Sequence, residues 1–462
     1  MLAKMYSLPQ LTNSSSSPLL IELSQPLALT VLSVCVVTAS IITEQTSAAE
    51  NNIAPVLAII IFWCCLLWLA MIEGGQGCLV GLQPTPKVQY ALSHPISHDC
   101  TTLAHKGDNM ERFIVGRQFL VVLIITTVNM MGSSVAGADV FTFGTVANNI
   151  FLAQGLAMML TTINIGQLAA QVNAADCMLD FINTRFMLFS TYVSLGIEMS
   201  GLLHAVYLVQ HVFELIAGKP TESKAPPKEG LTLILYWIRV LMSSAILGFA
   251  VAVTGDSLFA GVTGMWNGIP AFVALVIVVV LLCFVGIMEG MQIAAFAVVK
   301  LDENEYKDTH KIAHANCSLL FRGKNLGAFL IGRQICVTCC MFVAARAFSI
   351  DKAHPDIIAG RTSFDIPDGL QDFVNTGLLG ALVTTILGSL MWRIIASSYP
   401  LAFMSNPIIF VIIKISHALE FTGIASASWS LANIQKMSVG LQADEVYLPV
   451  AGNNVIEDDN NL

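Results

Sequence analysis

The chain has 462 residues, 55% hydrophobic and only 11% charged, with a mean hydropathy of +0.72 and a formal net charge of −9. A soluble chain carries about 25% charged residues, so this composition belongs to the membrane class. It contains no Walker loop, dinucleotide fingerprint, basic patch or nucleophile–base set, which argues against a nucleotide-dependent enzyme, a nucleic-acid binder and a hydrolase.

Apolar runs near the 20 residues needed to cross a bilayer predict ten helical spans, at 26–43, 53–82, 112–131, 146–170, 185–214, 231–254, 270–300, 326–348, 373–396 and 407–430. They follow an N-terminal segment, 1–25, whose flanks do not resemble a cleaved signal, so the first span is expected to be retained. A polar linker, 217–230, separates units 26–216 and 231–430, and an acidic tail, 431–462, ends the chain. The eleven cysteines, mostly in apolar spans, read as small hydrophobes rather than a disulfide framework. Cys336, Cys339 and Cys340 lack neighbouring His or carboxylate ligands and read as packing residues.

Span two carries "EGGQ", with Glu73, Gly74 and Gln76, and span three carries "GRQ", Gly116–Gln118. Span seven repeats the first as "EGMQ", with Glu289, Gly290 and Gln292, and span eight repeats the second at Gly332, Arg333 and Gln334. Glu289 minus Glu73, Gln292 minus Gln76 and Arg333 minus Arg117 are all 216. Over His98–Gln118 against His314–Gln334, eight of 21 residues are identical without a gap, which marks an internal repeat. Downstream, Thr161 matches Thr384 at an offset of 223 and Glu198 matches Glu420 at 222, so the second unit should hold extra residues, most simply within 349–369. Five spans per unit is an odd number, so two copies of one fold would enter the membrane from opposite faces. That is the inverted-repeat plan of secondary transporters, whose substrates bind near the midplane. The expected fold is therefore an all-α polytopic membrane protein of about ten transmembrane helices.

A charge at mid-bilayer costs about 3 kcal/mol or more unless paired. Glu73 with Arg117, and Glu289 with Arg333, are expected as ion pairs that either pin neighbouring helices or belong to a site. Gln76, Gln118, Gln292 and Gln334 neutralise nothing, and their recurrence favours a site. Amides offer donors and acceptors without net charge, which suits a small neutral solute covered in hydroxyls. Glu198 with Ser200, and Glu420 with Thr422, are candidate sodium or proton sites. Residues two apart diverge by about 200° on a helix, so each pair needs unwinding at Gly201 or Gly423. A packing role for both carboxylates, bonded to Arg239, Lys414 or a hydroxyl, stays open. His98 and His314 are expected as loop anchors, and Asn109 and Asn325 as helix-start residues. Cys177 and Asp180 in "CMLD" are expected in a short turn, and "NCS" at Asn316 is a weak glycosylation match.

At these motifs the sequence resembles the diatom silicic acid transporters, the silicon transporter family, over roughly residues 26–430. The resemblance implies sodium-coupled uptake of orthosilicic acid across the plasma membrane, with the substrate at the paired EGxQ and GRQ motifs. Sodium would be the coupling ion, with no other cofactor, and silicic acid and lipid the partners. A uniporter or channel for a small hydroxylated solute, or a membrane sensor on the same scaffold, are the alternatives. Many family members continue into a C-terminal coiled coil, whereas the tail from Gln435 shows no sustained heptads.

Overall fold

The computed structural model describes residues 17–135, 137–141, 144–217, 229–266, 268–299, 301–348 and 378–448. Most of the expected linker, 218–228, and the expected insertion, 349–369, lie outside these, as does the end of the acidic tail. Regular structure among the described residues is helical, apart from isolated bridge residues such as Thr46 and Ser134, which pair with each other.

The chain opens with α1 (Ser17–Ile42) and then α2 (Pro55–Gly81), which begins on a proline whose missing N–H costs nothing in a first turn. A short connecting helix, α3 (Pro95–Ala104), leads to α4 (Asn109–Gly132), and α5 (Leu156–Asp176) follows. Then come α6 (Met178–Ile182), α7 (Arg185–Met199) and α8 (Ala205–Ala217). The second half opens with α9 (Gly230–Phe259) and α10 (Ala271–Val298), followed by the connecting helix α11 (Lys311–Leu320) and α12 (Asn325–Phe348). It ends with α13 (Leu379–Ser398), α14 (Pro400–Met404), α15 (Ile408–Phe421) and α16 (Ala427–Val439). The boundary expected at 430 falls inside α16.

Among the described residues seven helices are long and apolar enough to cross a bilayer, or eight when the pair Thr145–Ala153 and Leu156–Asp176, bent by 45°, counts as one span. Expected spans five and ten are not continuous. The chain breaks after α7 at Gly201 and after α15 at Gly423, which hold left-handed φ values of +83° and +78° that stop a helix and that glycine adopts without strain.

The halves match element by element. α3 and α11, like α4 and α12, are displaced by 216 in numbering. Beyond them the shift is 222. One π-helical turn, Asn164–Leu168, interrupts α5, and another, Ile386–Leu390, interrupts α13. Gly166 there packs on Leu66, and Gly388 on Leu282. Phe181 covers Gly74, and Phe403 covers Gly290. The offset of 223 between Thr161 and Thr384 is therefore one residue out of structural register, because the π turns fix the alignment at 222.

Three smaller expectations change. His98 and His314 lie within α3 and α11 rather than in loops, and they differ in partners: His98 sits 3.8 Å from Asp99, while His314 pairs with Glu303. Asn316 is buried and donates to the Met404 carbonyl at 2.9 Å, so its amide is no glycan acceptor. All eleven cysteines are free, but Cys35, Cys64, Cys283 and Cys339 are exposed on apolar helices rather than buried. Asn109 and Asn325 start their helices as expected and donate to the Leu103 and Leu319 carbonyls at 2.9 and 2.8 Å. Cys177 breaks the chain between α5 and α6. Asp180 of the same turn accepts from His94 at 3.0 Å and from the Gln442 backbone at 2.6 Å.

Candidate substrate site

The two EGxQ helices, α2 and α10, meet at the centre of the molecule, where Gly77 of one packs against the Phe296 ring of the other. Each GRQ helix lies beside its own EGxQ helix and is clamped from behind by a broken helix. A Cβ on Gly116 would overlap the Ser194 carbonyl of α7, and one on Gly332 would overlap the Ser416 carbonyl of α15. Glycine is required at both positions because a neighbouring backbone occupies the side-chain space. That close approach sets the depth of the next residue, arginine, in each motif.

Arg117 and Arg333 are the two largest fully buried side chains among the described residues. Burial of that kind is tolerated only with partners. Arg117 Nη2 lies 2.6 Å from Glu73 Oε1, and Arg333 Nη1 donates to Glu289 Oε1 at 3.1 Å. Each arginine also donates to the amide oxygen next to it, Arg117 to Gln118 and Arg333 to Gln334, both at 2.8 Å. The expected pairs and the adjacent glutamines are thus together in both halves.

The fourth segments contribute residues that motif reading missed. Gln171 of α5 donates to Glu73 Oε2 at 2.9 Å. Arg393 of α13 pairs with the second oxygen of Glu289 and reaches across to donate to Gln76 Oε1 at 2.7 Å. Gln334 Nε2 likewise crosses the halves, donating to Gln167 Oε1 in the π turn of α5 at 2.7 Å. The motifs of both halves therefore contribute to one central cluster of two carboxylates, three guanidiniums and five amides, with Gln292 buried one helical turn beyond Glu289. It is incompletely satisfied: Gln76 Nε2, Gln171 Oε1 and Gln292 Oε1 are buried without a hydrogen-bond partner. Unmet donors and acceptors together, at about 1 kcal/mol per neutral hydrogen bond, suit reversible capture of a polyhydroxylated solute.

The candidate ion residues lie apart from this cluster. Glu198 is buried and accepts from Arg112 Nε at 2.8 Å and Tyr207 at 3.2 Å, with His204 at 3.5 Å. Glu420 accepts from the Trp429 indole at 3.2 Å. Ser200 and Thr422 donate to the Ile197 and Leu419 carbonyls, each at 2.6 Å, closing the last turns of their helices. The breaks at Gly201 and Gly423 occur as unwinding required, but both hydroxyls are engaged by their own backbone.

A charged and amide-rich centre, walled by long apolar helices and built from two matching halves, defines an integral membrane protein of the α-helical class. The sequence profile of the silicon transporter family matches residues 16–461, nearly the whole chain, and the protein belongs to that family. Membership implies silicic acid as the transported substrate. No curated protein and no solved structure matches the chain.

Proposed function

We propose that this protein takes up orthosilicic acid across the plasma membrane by sodium-coupled symport and alternating access, with ten membrane-crossing segments arranged as two inverted five-segment repeats. In this reading the broken helices α7 and α15 each complete a crossing with the short helix that follows them. The observation that carries it is the convergence of Glu73, Gln76, Arg117, Gln118, Glu289, Arg333 and Gln334 on one central cluster with unmet amide donors and acceptors, beside which Gln292 is buried one helical turn beyond Glu289. Silicic acid offers four hydroxyls, each both donor and acceptor, and is mostly uncharged at neutral pH. The amides bind these hydroxyls, while the Glu–Arg pairs fix the helices that carry them. Ion coupling is assigned to Glu198 and Glu420, the carboxylates beside the two matching helix breaks.

Proteoliposomes test this directly. An inward sodium gradient should drive silicic acid above its external concentration, and removing sodium should abolish that accumulation. Equilibration without accumulation would instead identify a uniporter or channel, and binding without flux a sensor. Gln76→Ala and Gln292→Ala should each reduce uptake about fivefold, the loss of about one hydrogen bond. Sodium dependence intact in the Glu198→Gln, Glu420→Gln double variant would remove the ion assignment alone.

A further inference from the structure

The repeat can be used to ask which contacts between the halves lack their counterparts. Two polar bridges cross the centre: Arg393 to Gln76, and Gln334 to Gln167. Arg393 minus Gln171 is 222, the shift that also relates Phe403 to Phe181 and Gly388 to Gly166, so Arg393 and Gln171 are structural equivalents. Both grip the carboxylate of their own EGxQ motif. The mirror of the first bridge would have Gln171 Nε2 donate to Gln292 Oε1, yet Gln292 Oε1 is buried and without a partner. The same shift takes Gln167 to Ser389, so the mirror of the second bridge would join Gln118 to Ser389. Ser389 Oγ is likewise buried and unpartnered. Both bridges of one kind are made, and both of the mirrored kind are open.

We propose that Arg393 and Gln171 are alternating positioning residues of the transport cycle, Arg393 bridging to Gln76 in the arrangement described here and Gln171 bridging to Gln292 in the opposite-facing one. Gln334–Gln167 and Gln118–Ser389 exchange with them. This rests on the reading of inverted repeats above. Two inverted copies that swap conformations must swap their cross-contacts, and Gln292 Oε1 and Ser389 Oγ, unpaired here, are the acceptors that the mirrored bridges would satisfy. The exchange is unequal because one bridge is a charge-assisted bond from a guanidinium and its mirror joins two amides. The arrangement held by Arg393 should therefore be the more populated in the resting protein.

The test uses full-length protein reconstituted in one orientation, with the half-saturating silicic acid concentration measured from each face. Apparent affinity at a face scales with the fraction of protein open to it. Arg393→Gln should change the ratio between faces about tenfold, and Gln171→Ala should move it the other way. The double variant Gln171→Arg, Arg393→Gln should restore flux with the ratio inverted. If these variants lower flux equally from both faces, with the ratio fixed and no recovery in the double variant, Arg393 is purely structural and the inference fails. Gln171→Ala keeps the question answerable if Arg393→Gln does not fold, since Glu73 retains Arg117. Wild-type protein without flux would overturn the transport reading and this inference with it; normal wild-type flux with an unmoved ratio overturns this inference alone.

Discussion

The two halves place their functional groups on the same scaffold but secure them differently. Glu73 is held by one guanidinium, Arg117, and one amide, Gln171. Glu289 is held by two guanidiniums, Arg333 and Arg393, and the second also reaches into the opposite half. Three features of the packing that positions these groups recur in both halves: glycine against a serine carbonyl, phenylalanine over a motif glycine, a π turn facing a leucine. Backbone geometry is thus shared, whereas the electrostatics are not. In the inverted-repeat reading proposed above, identical halves would give the two states equal weight, and this difference would favour one of them.

The largest expected effect breaks this comparison at its charges. Glu289→Ala would leave two buried guanidiniums without their carboxylate, and it should cost about 3–5 kcal/mol, seen as lost yield and a lowered unfolding temperature in detergent. Glu73→Ala exposes one such charge and should cost visibly less. Equal losses would show that Arg393 adds nothing to the second half. Next in size are Gly116→Ala and Gly332→Ala, which push a Cβ into a neighbouring carbonyl and should each cost about 1–3 kcal/mol. Here the halves should respond alike, since the obstacle is the same. A large difference between these two would mean that the packing, too, is unequal.

The cluster was legible in the sequence only where residue identity survived duplication. EGxQ and GRQ stand out because both copies keep the same residues at one spacing, 216, and the ion pairs follow from the cost of a lone charge in lipid. Gln167, Gln171 and Arg393 were invisible for two reasons. Their partners in the other half are different residues, Ser389 for Gln167 and arginine for Gln171, and the shift has become 222. Reading every polar residue of the fourth span and the residues just beyond its end at the Glu198–Glu420 offset would have paired Gln171 with Arg393. The helix breaks were half legible. Gly201 and Gly423 were visible as points where unwinding was needed, but composition alone let spans five and ten run through them, since apolar residues continue on both sides. Long-range choices, such as Arg393 selecting Gln76, depend on how helices cross and leave no local signature.

The smallest effect probes a pair that looks equivalent and is not. Asn109 and Asn325 both donate to a carbonyl six residues back, so alanine at either should cost about 1 kcal/mol. Asn109 Oδ1 also accepts from Arg112 Nη1 at 3.0 Å, and that same arginine holds Glu198. At the position matching Arg112 the second half has Ala328. Asn109→Ala should therefore loosen Arg112 and raise the sodium concentration that half-saturates uptake by a few-fold, while Asn325→Ala should leave it unchanged. A sodium response altered by neither variant, with both equally destabilised, would detach Arg112 and Glu198 from coupling and leave the difference between halves confined to the central cluster.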